Sequence, residues 1–230
     1  MKKSACVAFA FLFLALVSPP PVPAQTVNLL IQLRVTAAST TSITLSWKIL
    51  FPVPIKGFEV QRGAGTPEFA PLAATAGPQL TYTDAALQPG VVYSYKVRAL
   101  LDKPGPAAYS EFSPPVQAVA VPGAPVLSCS ARTASTNTTQ LSWAAVPGAT
   151  GYEVDQSTFQ QGQFGQYALL GETRTPGYLK SGMADKIDYK FRVRAFTLLN
   201  GKKVFGEYSN FVVAQHVSQE SGDGGVSRQT

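Results

Sequence analysis

The chain has 230 residues, of which 14% are charged and 10% aromatic, with 19 glycines and 18 prolines scattered as punctuation. That mixture, with abundant Val and Thr, favours short strands over helices and is too apolar for a disordered main body. A formal net charge of +6 is modest for a nucleic-acid footprint, and two cysteines are too few for a disulfide framework.

Lys2 and Lys3 precede an apolar run, Ala5 to Val17, that is too short to span a bilayer, and Val22-Pro23-Ala24 offers a small-residue cleavage site before Gln25. Residues 1–24 are therefore expected to be a signal peptide, which places the protein in the periplasm, at the cell surface or outside the cell. Cys6 leaves with that segment. Cys129 is then the remaining cysteine, expected as a small buried hydrophobe at a strand start. No later apolar run is long enough to cross a membrane.

Strand signals follow at the spacing of a sandwich. Leu33 and Val35 begin; Ile43, Leu45 and Trp47 alternate with Thr44 and Ser46; Phe58 and Val60 alternate with Glu59 and Gln61; Leu80 and Tyr82 come next. A Pro89-Gly90 turn then leads into Tyr93, Tyr95, Val97 and Ala99, which share one face, with Ser94, Lys96 and Arg98 on the other. A last strand is expected over Val116 to Val121, which makes about seven short strands in residues 25–121.

The pattern then repeats. After the linker Val121-Pro122-Gly123-Ala124-Pro125, Trp47 recurs as Trp143, Gly57 to Val60 as Gly151 to Val154, and the Tyr93 strand as Tyr189, Phe191, Val193 and Ala195. A second unit is thus expected over 122–217. Residues 218–230 have no apolar pattern and are expected to be a disordered tail. Asn200-Gly201 predicts a hairpin turn whose flanking Leu198, Leu199 and Phe205 would pack where the two units meet.

Ser-Ile-Thr-Leu-Ser-Trp at 42 to 47, Gly-Phe-Glu-Val at 57 to 60, Leu-Gln-Pro-Gly at 87 to 90 and the Tyr93 alternation together resemble a fibronectin type III domain, and the second unit resembles it again. The resemblance implies an all-β fold of two tandem seven-stranded, immunoglobulin-like β-sandwiches. It also implies core tryptophans at Trp47 and Trp143, and tyrosine corners at Tyr93 and Tyr189 whose hydroxyls bond nearby backbone. In the second unit Asp185-Lys186 stands where the first has Pro89-Gly90. The tightness of that corner is open at this point.

Groups for catalysis do not converge in the sequence. The lone histidine, His216, ends the last strand, where a hydrophilic edge residue is expected, and one His with one Cys makes no metal cluster. Arg62-Gly63-Ala64-Gly65 lacks the third glycine and the helix of a nucleotide loop. The outward row Lys96, Arg98, Lys190, Arg192 and Arg194 is expected to pair with Glu59, Glu153 and Asp155 on the neighbouring strands instead of binding nucleic acid. Asn137-Thr138-Thr139 fits a glycosylation acceptor or a threonine-rich loop.

One loop breaks the rule that connections are polar. Residues 49–55, Ile-Leu-Phe-Pro-Val-Pro-Ile, either fold back to cap the sandwich or form a contact site stiffened by Pro52 and Pro54. Phe51, Val53 and Ile55, with Leu101 from the neighbouring loop, are the candidate partner-contact residues. The reading is a monomeric, non-enzymatic exported module without metal or cofactor, which binds a protein or glycan at the envelope or outside the cell. Its rival is an accessory module that positions a separate polysaccharide-active enzyme.

Overall fold

The computed structural model describes residues 28–51, 53–65, 68–103, 108–132 and 137–216. The expected signal peptide, the expected tail and the loop prolines Pro52, Pro104 and Pro106 lie outside them. The described chain is all-β.

In the first unit the strands are β1 (Ile31–Ala38), β2 (Ile43–Ile49), β3 (Ile55–Ala64), β4 (Ala70–Ala76), β5 (Thr81–Asp84), β6 (Val92–Leu101) and β7 (Val116–Val119). They form two antiparallel sheets, ordered β1-β2-β5 and β4-β3-β6-β7. Period-two alternation sends Ile43, Leu45 and Trp47 of β2 inward to meet Phe58 and Val60 of β3 and Tyr95, Val97 and Ala99 of β6. Trp47 packs edge-on against Phe58, with ring centroids 5.3 Å apart. Strand β4 is the one that alternation did not locate. Its apolar residues are mostly alanines, and a register shift between Val60 and Gln61 interrupts its period.

The second unit comprises β8 (Ser128–Cys129), β9 (Thr139–Ser142), β10 (Gly151–Gln160), β11 (Gln163–Phe164), β12 (Ala168–Thr173), β13 (Gly177–Lys180), β14 (Tyr189–Leu199), β15 (Lys202–Tyr208) and β16 (Val212–Ala214). One sheet runs β13-β9-β8. The other places β10 between β12 and β14, with β15 and β16 both paired to β14 and β11 closing a small hairpin on β10. Trp143, just past β9, meets Tyr152 at 5.2 Å and 65°, the geometry of Trp47 on Phe58. Where Phe58 becomes Tyr152, the added hydroxyl accepts the Val146 backbone N–H at 2.9 Å.

Both corner tyrosines close their turns. The Tyr93 hydroxyl accepts the Gln88 N–H at 3.0 Å, and the Tyr189 hydroxyl accepts the Ala184 N–H, also at 3.0 Å. Tyr93→Phe is expected to lower the stability of the first unit by about 0.5–1.5 kcal/mol, because it strands a partly buried N–H. The urea midpoint of the isolated unit measures this, and no shift would deny the bond any weight.

The units meet through close backbone approaches and one side-chain hydrogen bond. Asn200 (φ +51°) and Gly201 (φ +77°) make the hairpin turn between β14 and β15, and the Asn200 amide donates to the Gln117 side chain on β7 at 3.2 Å. Leu198 is exposed, and Phe205 stacks on Arg194 on the outer sheet face. The close contact is Gly90 against Gly148. A Cβ added to Gly90 would lie 2.5 Å from the Gly148 Cα, so the two chains approach only because both lack side chains. Gly206 lets β15 approach the linker carbonyl of Pro122 in the same way.

Candidate functional site

The apolar loop is half cap and half apex. Ile55 pairs with Leu101 across β3 and β6; Leu101 is 8% exposed and belongs to the core, and Ile55 packs against it. Two of the four expected contact residues are therefore support and not surface. The reason is register, since the strand period carries both inward. Phe51 is 66% exposed, Val53 and Leu50 are exposed beside it, and the Leu50 N–H donates to the Leu30 carbonyl at 3.2 Å, which brings exposed Leu30 alongside. The apex is thus Leu30, Leu50, Phe51 and Val53, at the end of the first unit opposite Gly90. Leu30 was missed because it precedes the first recognisable alternation.

The outward basic row is already occupied. Arg98 donates through Nε and Nη2 to Glu59 at 2.9 and 2.7 Å, Arg192 donates to Asp155 at 3.0 Å, and Arg194 to Glu153 at 2.8 Å. These pairs match the expectation from strand register. Unexpected are the rings between them. Lys96 lies 4.4 and 4.2 Å from the centroids of Phe69 and Phe112, and Arg98 lies 4.0 Å from Tyr109. In the second unit Lys190 sits over Phe211, Arg192 between Tyr167 and Tyr208, and Arg194 over Phe205. Tyr109-Ser110-x-Phe112 and Tyr208-Ser209-x-Phe211 supply four of these seven rings, while Ser110 and Ser209 accept the Ala99 and Val193 N–H groups at 2.9 and 3.0 Å. That repeated motif was the available signal. With the edges of the three arginines on carboxylates, their faces on rings, and the two ammonium groups over rings, the row is a laminated sheet surface.

A buried polar cluster distinguishes the first unit. Asp84 accepts both Arg62 Nη1, at 3.1 and 3.0 Å, and the Tyr95 hydroxyl at 2.8 Å, with Asp84 and Tyr95 buried. Burial, then the Asp84 bond, pushes the Tyr95 hydroxyl far above the usual tyrosine range. At the corresponding positions the second unit carries Lys180, Phe191 and Gln156.

The second unit instead buries Arg132, whose side chain is 1% exposed. Its guanidinium donates to the carbonyls of Ile187, Met183 and Ala184 at 2.9, 3.2 and 2.8 Å and to Asn137 Oδ1 at 2.8 Å. Lys186 takes φ +59° where the first unit has Gly90, and Arg132 clamps the turn around it, so the corner is as tight as its counterpart. Asn137 also donates to Asp185 at 2.9 Å, so its amide serves the clamp.

Cys129, Arg132 and His216 line one open groove between β8 and β16. Cys129 is half-buried, and burial raises its thiol pKa. His216 is more than an edge residue. Its N–H and ring Nδ1 both reach Asp188 Oδ1, at 2.7 and 2.8 Å, and the backbone bond is the largest cause holding that carboxyl below its usual range. Among the described residues no group of three or more His, Cys, Asp or Glu could hold a metal ion, and no helix is long and apolar enough to cross a membrane.

No family model matches the chain. Among solved structures it is similar to a two-domain fibronectin type III segment of chicken tenascin, with 15% identity and a TM-score of 0.51 over 81% of this chain and 97% of that one. It is also similar to the FN1–FN3 domains of chicken CNTN1, with 16% identity and a TM-score of 0.35 over 80% of this chain and 64% of that one. The tenascin likeness bears on the fold, and together with the strand order it makes this chain a tandem of two fibronectin type III-type β-sandwiches.

Proposed function

We propose that the protein is an exported, non-catalytic binding and spacing module that holds to the cell envelope through the apex of its first unit. The observation that carries this is the exposed apolar group Leu30, Leu50, Phe51 and Val53 at the end away from the second unit. Clustered exposed apolar side chains are the form a contact hot spot takes. The non-catalytic part of the reading is supported by the commitments of the polar groups. Arg62, Arg98, Arg132, Arg192 and Arg194 are each spent on a carboxylate or a carbonyl, and His216 is spent on Asp188.

Phe51→Ser with Val53→Ser is expected to reduce retention on isolated envelope fragments at least tenfold, as loss of one buried aromatic implies, ~1.5–3 kcal/mol. The urea midpoint should stay unchanged, since both side chains are exposed. Ile55→Ser is expected to do the reverse, costing about 2 kcal/mol of stability with binding per folded molecule preserved. If the exposed pair proves destabilising and binding does not move, the loop is a lid and the contact lies elsewhere.

A further inference from the structure

We infer that the occupant of the apex is a bilayer surface carrying anionic headgroups; this rests on the reading of the apex as a contact site and names its partner. The run 49–55 is bracketed by Lys48 and Lys56, and the bond from the Asp102 N–H to the Pro54 carbonyl, 2.9 Å, brings Lys103 to the same end. Asp102 is the acidic residue beside them, 3.4 Å from Lys56. Three lysines and one carboxylate therefore lie at this end of the unit, with Lys56 paired to Asp102 and Lys48 and Lys103 left as the net positive charge beside the apolar apex. This is charge complementary to phosphate headgroups with acyl chains behind them.

The apex is also poor in direction. Its side chains carry neither donors nor acceptors, and two of the backbone groups beside them are spent internally, the Leu50 N–H on Leu30 and the Pro54 carbonyl on Asp102. A glycan is recognised by hydrogen bonds, and a protein hot spot is usually rimmed by them. An acyl interface asks only for apolar area, with cations at headgroup level. One Phe, two Leu and one Val are too little to anchor alone, which is why the lysines matter, on the two-signal logic of reversible membrane attachment.

The test uses the chain from Gln25 onward, which contains every described residue and lacks the apolar run Ala5 to Val17. It is mixed with vesicles of phosphatidylcholine alone, or of phosphatidylcholine and phosphatidylglycerol in equal parts. Sedimentation with the anionic vesicles is expected, weakening as salt rises. Lys48→Gln should lower the partition coefficient about fivefold, and Phe51→Ser about tenfold or more. Leu179→Ser, an exposed leucine on β13, should change nothing. Phe51→Trp should shift its emission to the blue on anionic vesicles, over a constant background from buried Trp47 and Trp143.

Emission that stays in place, or partition indifferent to both Phe51→Ser and Lys48→Gln, overturns the inference. If envelope fragments still retain the protein through Phe51 and Val53 while vesicles do not, the partner is a protein or glycan, and only the lipid assignment falls. If neither binds, the apex reading falls with it.

Discussion

Replacing Asp84 with alanine is expected to destabilise the first unit by about 1–3 kcal/mol, the cost of leaving a buried hydroxyl without its partner. The carboxylate serves two buried demands at once, the Arg62 guanidinium and the Tyr95 hydroxyl. Arg62 is partly exposed and can turn to water, so most of the loss falls on Tyr95, whose hydroxyl sits in the core. The second unit shows the alternative solution, with Phe191 where Tyr95 stands. Installing its residues together, Asp84→Lys, Tyr95→Phe and Arg62→Gln, is expected to cost less than Asp84→Ala alone, since no hydroxyl is left orphaned. Urea unfolding of the isolated first unit decides this; equal or greater loss in the triple variant would show that the cluster is not a unit.

The same cluster gives the first unit an alkaline limit. A hydroxyl whose folded pKa lies above its unfolded value, ~10, contributes stability that is complete below pH ~10 and drains as pH rises above it. Tyr95→Phe should flatten that alkaline limb while leaving the curve at neutral pH parallel.

Arg132→Ala is expected to cost the second unit about 3–4 kcal/mol, because four acceptors lose a charged donor and several of them stay buried. Arg132→Lys should recover little of it, since one ammonium cannot span carbonyls on both sides of the turn. Lys186→Gly relieves the left-handed residue that the clamp restrains, and it should soften the Arg132→Ala loss by a few tenths to about 1 kcal/mol. A double-mutant cycle in urea measures the coupling, and strict additivity would separate the arginine from the turn.

What was legible in the sequence and what was not divides along one physical line. Alternation is local, so Trp47, the Tyr93 strand and their second copies could be placed from periods of two. The Glu59–Arg98 and Asp155–Arg192 pairs followed because strand neighbours fix the register. Arg62 with Asp84 is different. The partners sit on opposite sheets, joined through the sandwich edge, and no period links them. Arg132 reaches a turn more than fifty residues away for the same kind of reason. The apolar loop stayed divided between cap and contact because prolines interrupt its period, and only the Ile55–Leu101 register separates the inward side chains from Phe51 and Val53.

The bare contact of Gly90 with Gly148 has a mechanical reading. Two backbones that touch without side chains leave no soft layer to compress, and Gly206 against Pro122 braces the same joint from the strand beyond. The tandem is therefore expected to behave as a strut and not as two beads on a string, and small-angle scattering that required a wide range of interdomain angles would count against this. Each sandwich is spanned by strands of about ten residues, ~33 Å, so a rigid joint would hold the far end of the second unit at a standoff of up to roughly twice that length from whatever seizes Phe51. A single methyl at either glycine would act as a wedge at the fulcrum, and its displacement would be magnified along the lever to the far tip.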